Sequence, residues 1–257
     1  MDSLKQFRLD GRVVLITGAS SGIGAALAEG LAAAGGRVVL AARRVDRTKA
    51  LAEKIRASGG EALSVSLDVT KPDSIKRAFE EAESRFGLAT IVVNNAGVAE
   101  ARSFLKTSRE SLDWAMGTNF FGVWEMCQEA ARRMVAAKKG GSIINVASVL
   151  GMGSAAGYSS YSASKGALIQ LTRTLALEFV KDGIRVNALA PGWFVSEMNE
   201  KFFASEAGQA YAKRIPPGRT GELSELIGPV LLLASDAGSY INGTVLPVDG
   251  GHHAALV

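Results

Sequence analysis

A chain of 257 residues, 47% of them hydrophobic, has room for one large α/β domain or two small ones and buries a sizeable core, which excludes a disordered segment. Its 29 basic and 25 acidic residues leave a net charge of +4, scattered in short pairs such as Arg43-Arg44, Arg132-Arg133 and Lys138-Lys139. With aromatics at only 7% this argues against a nucleic-acid surface, and no apolar run approaches the ~20 residues of a membrane span.

The first stretch, MDSLKQFRLDGR, lacks the apolar region of a secretory leader, and the single cysteine, Cys127, cannot form an internal disulfide. A soluble, unprocessed, cytoplasmic protein is expected. From there β-branched runs alternate with amphipathic ones. Strands are predicted over 12–17, 37–42, 62–69, 90–97, 141–148, 184–192 and 243–251. Helices are predicted over 24–35, 46–58, 72–86, 108–138, 159–181 and 222–235, the third with proline in its first turn. Strands joined by crossover helices imply right-handed βαβ units. The expected fold is therefore a doubly wound α/β domain, Rossmann-like, with seven parallel strands flanked by helices. No linker or low-complexity tract divides residues 1–257, so a single domain is expected. The rhythm breaks only over 193–221, a stretch rich in Phe, Met and Tyr at the carboxyl end of a strand, where a substrate lid is expected.

Gly18, Gly22 and Gly24 fall in the first strand-to-helix turn, LITGASSGIGAALA. Glycines let the backbone approach a pyrophosphate, and the N–H groups and dipole of the following helix attract its charge. The end of the second strand discriminates between dinucleotides. An acidic residue there bonds the ribose 2′-hydroxyl of NAD; here Ala42 takes that place and Arg43 and Arg44 follow, which favours the 2′-phosphate of NADP(H) over NAD(H). In SAAGYSSYSASKGAL (154–168), Tyr161 has Lys165 four residues on, while Tyr158 has only Ser162. On a helix the i and i+4 side chains share a face, so the ammonium group is expected to lower the Tyr161 pKa and equip that phenol for proton transfer.

TGASSGIG (17–24), NNAG (94–97), Asn119, Ser148, Tyr161-x-x-x-Lys165 and Pro191-Gly192 occur in order and at matching spacing. Over essentially its whole length the chain resembles the short-chain dehydrogenase/reductase family. The resemblance implies a metal-free tetrad. Tyr161 would be the acid/base, Ser148 would hold the substrate oxygen, Lys165 would bond the nicotinamide ribose, and Asn119 would support a water chain. It also implies that Gly18, Ser20, Ser21, Gly22, Ile23 and Gly24 line the diphosphate and ribose, and that Asp68 and Val69 meet the adenine. Asn95, Ala96 and Gly97 would pack along the adenosine half, and Pro191, Gly192 and Ser196 would hold the carboxamide. Two departures from the family pattern stand out. Phe194 and Ser196 stand where Ile or Val and then Thr are usual, and Ser21 stands where many NADP-preferring members carry Lys or Arg.

The resemblance implies an NADPH-dependent carbonyl reductase, equivalently an alcohol dehydrogenase in reverse. The aromatic lid residues, Trp193 foremost, would meet a small-molecule ketone or 3-oxoacyl substrate. The alternatives are an NAD-linked sugar-acid or polyol dehydrogenase and a non-catalytic NADP-binding sensor. A homotetramer is expected by family analogy. His252 and His253 are set aside as surface residues rather than metal ligands, and Cys127 as a packing residue.

Overall fold

Val13–Thr17 forms strand β1 and is buried at every position, as a strand covered on both faces must be. Its side chains alternate. Val13 and Leu15 enter one core with Phe79, Met126, Met134 and Leu168, whereas Val14 and Ile16 enter the other with Leu27, Leu31, Val230 and Leu233. The computed structural model of the chain describes residues 3–255; residues 1, 2, 256 and 257, included in the sequence readings of the N-terminus and of the domain, lie outside the described residues.

The elements follow as α1 (Gly22–Ala33), β2 (Arg37–Ala42), α2 (Val45–Ala57), β3 (Glu61–Ser66), α3 (Pro72–Phe86) and β4 (Ala89–Asn94). Next come α4 (Arg109–Met116), α5 (Gly122–Ala136), β5 (Gly141–Val146), α6 (Ser159–Glu178) and β6 (Ile184–Pro191). The short helices α7 (Glu200–Phe203) and α8 (Glu206–Ala212) precede α9 (Ile227–Ala234) and β7 (Val245–Val248). Among the described residues seven strands pair in parallel, in the order β3-β2-β1-β4-β5-β6-β7. The order reverses between β1 and β4, and in open α/β sheets ligands bind outside the carboxyl ends of strands at such a point. The expected doubly wound sheet is the observed one.

Three differences from the sequence expectation bear on the site. The helix expected over 108–138 is broken by a π-turn at Gly117–Phe121. The turn carries Asn119, which is completely buried and bonded to two other segments, and a helix widened by one residue per turn accommodates that inward pull. The strands expected to end at residues 69, 97 and 148 end at Ser66, Asn94 and Val146 instead. Asp68, Val69, Asn95, Ala96, Gly97 and Ser148 therefore stand on loops past the carboxyl edge. The last expected helix begins as a 3₁₀ turn, Leu223–Leu226, fixed by a reciprocal capping box between Glu222 and Glu225.

Candidate active site

The turn after β1 is shaped by close approach of backbone. Gly18 has φ +68, and a Cβ there would lie 2.9 Å from Ala96 Cα; at Gly24 a Cβ would lie 2.4 Å from the Gly18 carbonyl oxygen. Thr17 Oγ1 accepts hydrogen bonds from the N–H groups of Asn95 (3.0 Å) and Ala96 (2.9 Å), and Asn95 Nδ2 donates to the Thr17 carbonyl at 3.0 Å. These bonds lock the carboxyl ends of β1 and β4 together. Ser21 occupies the N-cap of α1 without making a capping hydrogen bond, and no acidic residue lies in the first turn. The helix N-terminus thus faces the cleft uncapped by side chains, which fits an anionic diphosphate.

At the end of β2, Ala42 is buried and Arg43 and Arg44 are exposed. Arg44 donates to Ser20 Oγ (3.0 and 3.2 Å), to Ser21 Oγ (2.7 Å) and to the Glu197 carboxylate (2.9 Å). Partial burial pushes the Asp68 carboxyl upward. Its bonds from the Thr70 hydroxyl and N–H and the charges of Arg43 and Lys71 outweigh that effect, and its pKa lies below the ordinary value.

Ser148 and Tyr161 meet at the centre. Ser148 follows β5 in extended conformation, its Oγ accepting from Leu150 N–H at 3.1 Å, and it lines the cleft together with Tyr161 in the first turn of α6. Lys165 is 4% exposed and donates from Nζ to the Val146 carbonyl at 2.7 Å. The expected effect of Lys165 on Tyr161 is corrected. Burial raises the phenol pKa above its ordinary value, the neighbouring Ser148 hydroxyl opposing it, while burial pushes Lys165 down to about 8. The i,i+4 spacing does bring the two together, but Nζ lies 5.7 Å from the ring centroid and is tied to a backbone carbonyl. Proximity to the ring is not contact with the phenol oxygen.

Asn119 does not line the cleft. Its Nδ2 donates to the Val98 carbonyl (2.8 Å) and Ser164 Oγ (3.1 Å), and its Oδ1 accepts from Val98 N–H (2.8 Å). Ser164 Oγ in turn donates to the Tyr161 carbonyl at 2.7 Å. The π-turn is thereby tied both to the loop after β4 and to the helix that carries Tyr161 and Lys165.

One cleft of 720 Å³ joins these parts, and every other site residue expected from sequence lines it. Its far wall is the 193–221 segment. Trp193 packs edge-on against Tyr158, Phe203 and Tyr211 at centroid distances of 5.6 to 6.1 Å and donates from Nε1 to Tyr211 Oη. Met198, Phe202, Leu150, Ala99 and Ala101 complete this end, and the charged residues lining the cleft are Arg43, Arg44, Asp68, Lys165 and Glu197. Sequence reasoning missed the contributions of Glu197 and Asn199. Asn199 accepts from Ser196 N–H and donates to the Phe194 carbonyl, bracing the loop after β6; only its three-residue distance from Ser196 hinted at this. Cys127 is buried with its thiol pushed up to about 12 by desolvation, and His253 Nδ1 lies 2.7 Å from Asp249 Oδ2.

A family model described as Enoyl-(Acyl carrier protein) reductase matches residues 18–253. The chain is 39% identical over 249 residues to 2-dehydro-3-deoxy-D-gluconate 5-dehydrogenase of Escherichia coli (strain K12), covering 96% of this chain and 98% of that one. It is 37% identical to a 3-oxoacyl-acyl-carrier-protein reductase of Aquifex aeolicus, covering 96% and 99%. Among solved structures it is similar to a gluconate 5-dehydrogenase from Burkholderia cenocepacia J2315 in complex with NADP and tartrate. The TM-score is 0.94 at 37% identity, over 99% of this chain and all of that one.

Proposed function

The chain belongs to the short-chain dehydrogenase/reductase family, and we propose that it is an NADP(H)-dependent carbonyl reductase, working in reverse as an alcohol dehydrogenase on a ketone or 3-oxoacyl group. The observation that carries this reading is the convergence of Ser148, Tyr161 and buried Lys165 in the cleft that also holds the uncapped N-terminus of α1. When bound, the nicotinamide supplies or accepts the hydride. Gly18, Ser20, Ser21, Gly22, Ile23 and Gly24 hold the diphosphate side, Arg43 and Arg44 the 2′-phosphate, and Asp68 and Val69 the adenine. Asn95, Ala96 and Gly97 support the adenosine half, and Pro191, Gly192 and Ser196 the carboxamide.

Ser148 donates to the substrate oxygen and stabilises the charge that grows on it during reduction. Tyr161 transfers a proton to that oxygen in reduction and takes it back in oxidation. Burial keeps the phenol protonated at neutral pH, the form from which the proton is given in reduction. Lys165 bonds the ribose and holds the coenzyme beside the phenol. Asn119 is a positioning residue, since its amide donors are both engaged by protein.

Trp193, Met198 and Phe202 form an uncharged substrate wall, and segment 193–221 acts as the lid of a single catalytic domain spanning the chain. A second reading, oxidation of a sugar acid or polyol with NAD(P), is favoured by the relatives named gluconate 5-dehydrogenase and D-threitol dehydrogenase. The absence of a cation among Leu150, Tyr158, Trp193, Met198 and Phe202 on the substrate wall weighs against an acid. Exposed Trp114, Phe121, Trp124 and Leu177 support assembly into a homotetramer, and one buried cysteine suits a cytoplasmic setting. Among the described residues no helix is long and apolar enough to cross a membrane.

The test is loss or gain of nicotinamide absorbance across apolar ketones, 3-oxoacyl thioesters, polyols and sugar acids, with NADPH and NADH in parallel. Turnover of ketones or thioesters with NADPH is expected. Turnover confined to sugar acids or polyols would establish the second reading, and NADPH binding without any turnover would point to a sensor.

A further inference from the structure

Glu197 belongs to the lid, yet its carboxylate reaches across the cleft to a helix start some 150 residues earlier. Oε2 accepts from Arg44 Nη1 at 2.9 Å and Oε1 accepts from Arg47 Nη1. Nε and Nη2 of Arg44 donate to the hydroxyls of Ser20 and Ser21, so all three nitrogens of the fork are engaged. The carboxyl is held down at about 2, chiefly by its bonds from Arg47 and Arg44. It is therefore an anion at any working pH. All three side chains are close to half exposed, and an ion pair so solvated is weak enough to exchange with a stronger anion.

We propose that Glu197 is a coenzyme-specificity residue that competes with the adenosine 2′-phosphate for the Arg44 fork, so that NADP(H) binds only as the carboxylate gives up that arginine. The inference rests on the assignment above of Arg44 to the 2′-phosphate. A phosphate brought to the same guanidinium meets a fixed negative charge, and like charges at that distance repel. A coenzyme without the 2′-phosphate meets no such competitor. Glu197 thus narrows the NADP(H) preference that Arg43 and Arg44 would give by themselves, and it ties coenzyme choice to a residue of the substrate lid.

The test is calorimetric titration of the full chain and of Glu197→Gln with adenosine 2′,5′-bisphosphate and with AMP, alongside NADPH binding by fluorescence. The amide keeps the size and removes the charge. Glu197→Gln is expected to bind the bisphosphate roughly five- to tenfold tighter, with AMP affinity changed less than about twofold. Arg47→Gln, which loosens the carboxylate without altering Ser20, Ser21 or Arg44, is expected to shift the bisphosphate less. Unchanged or weaker bisphosphate binding by Glu197→Gln, with the parent protein binding NADPH normally, would overturn the competition and leave the functional assignment standing. A parent protein that binds neither NADPH nor the bisphosphate would overturn both.

Discussion

The two walls of the cleft hold their side chains by different means. Behind the wall that carries Tyr161 and Lys165, Asn119 is completely buried and its donors and acceptor are bonded to Val98 and Ser164; on the lid side, Met198 and Phe202 are 57% and 43% exposed, Phe202 packs edge-on against Phe203 and Tyr211, and Asn199 braces the loop. A buried polar network fixes geometry because breaking any member leaves groups without water or partner. An exposed aromatic wall tolerates exchange, because its contacts are non-directional and its rims are wet. The difference teaches that proton chemistry is placed beside the rigid network and substrate fit on the adaptable wall.

The largest effect expected on the sheet side follows from Tyr161→Phe, which removes the transferable proton. Turnover should fall by roughly 10²–10⁴-fold while NADPH titration is preserved, and single-turnover absorbance measures it. Full activity would erase the distinction between the walls. Next is Asn119→Ala, which leaves the part-buried Val98 N–H and C=O unpaired while Ser164 keeps its bond to the Tyr161 carbonyl. Urea unfolding should show a loss of about 2 kcal/mol, at ~1–3 kcal/mol for a buried group left unpaired and less where water can reach it.

Lys165 sharpens the contrast through pH. Its folded pKa of about 8 is depressed from 10.5, so between these values the unfolded chain binds a proton that the folded chain has released. Stability from this group therefore climbs as pH rises from about 8 to 10.5, and the burial cost is present in full below 8. Lys165→Met should flatten that climb in thermal melts, and an unchanged slope would show that the ammonium group is solvated. The smallest effect belongs to the lid. Met198→Ala should change unfolding free energy by no more than about 0.5 kcal/mol while altering KM among ketones of different bulk.

Much of the sheet side was legible because its constraints are local. A glycine is required where φ is +68 and a Cβ would strike a neighbouring backbone, and that requirement is written at position 18 itself. The Tyr161–Lys165 spacing likewise survives folding, since a helix converts four residues into one turn. The direction in which Lys165 Nζ points depends on Val146, which no spacing on α6 encodes. The π-turn also escaped, because Gly117–Phe121 reads as ordinary helix until the inward pull on Asn119 is known. The engagement of Arg44 by Glu197 joins two loops far apart in sequence, each of which reads as a solvated surface charge when taken separately.

The strand order has a bearing on synthesis. β2 pairs with β1, β3 with β2, β4 with β1, β5 with β4, β6 with β5 and β7 with β6. Each strand that emerges after β1 therefore finds its first neighbour already made, and none has to be inserted between two strands that have paired. A sheet built wholly of distant parallel pairings is slow to form and leaves edges open to aggregation while it waits. Growth outward from β1 in both directions lets the nascent chain close those pairings in the order in which the ribosome releases them.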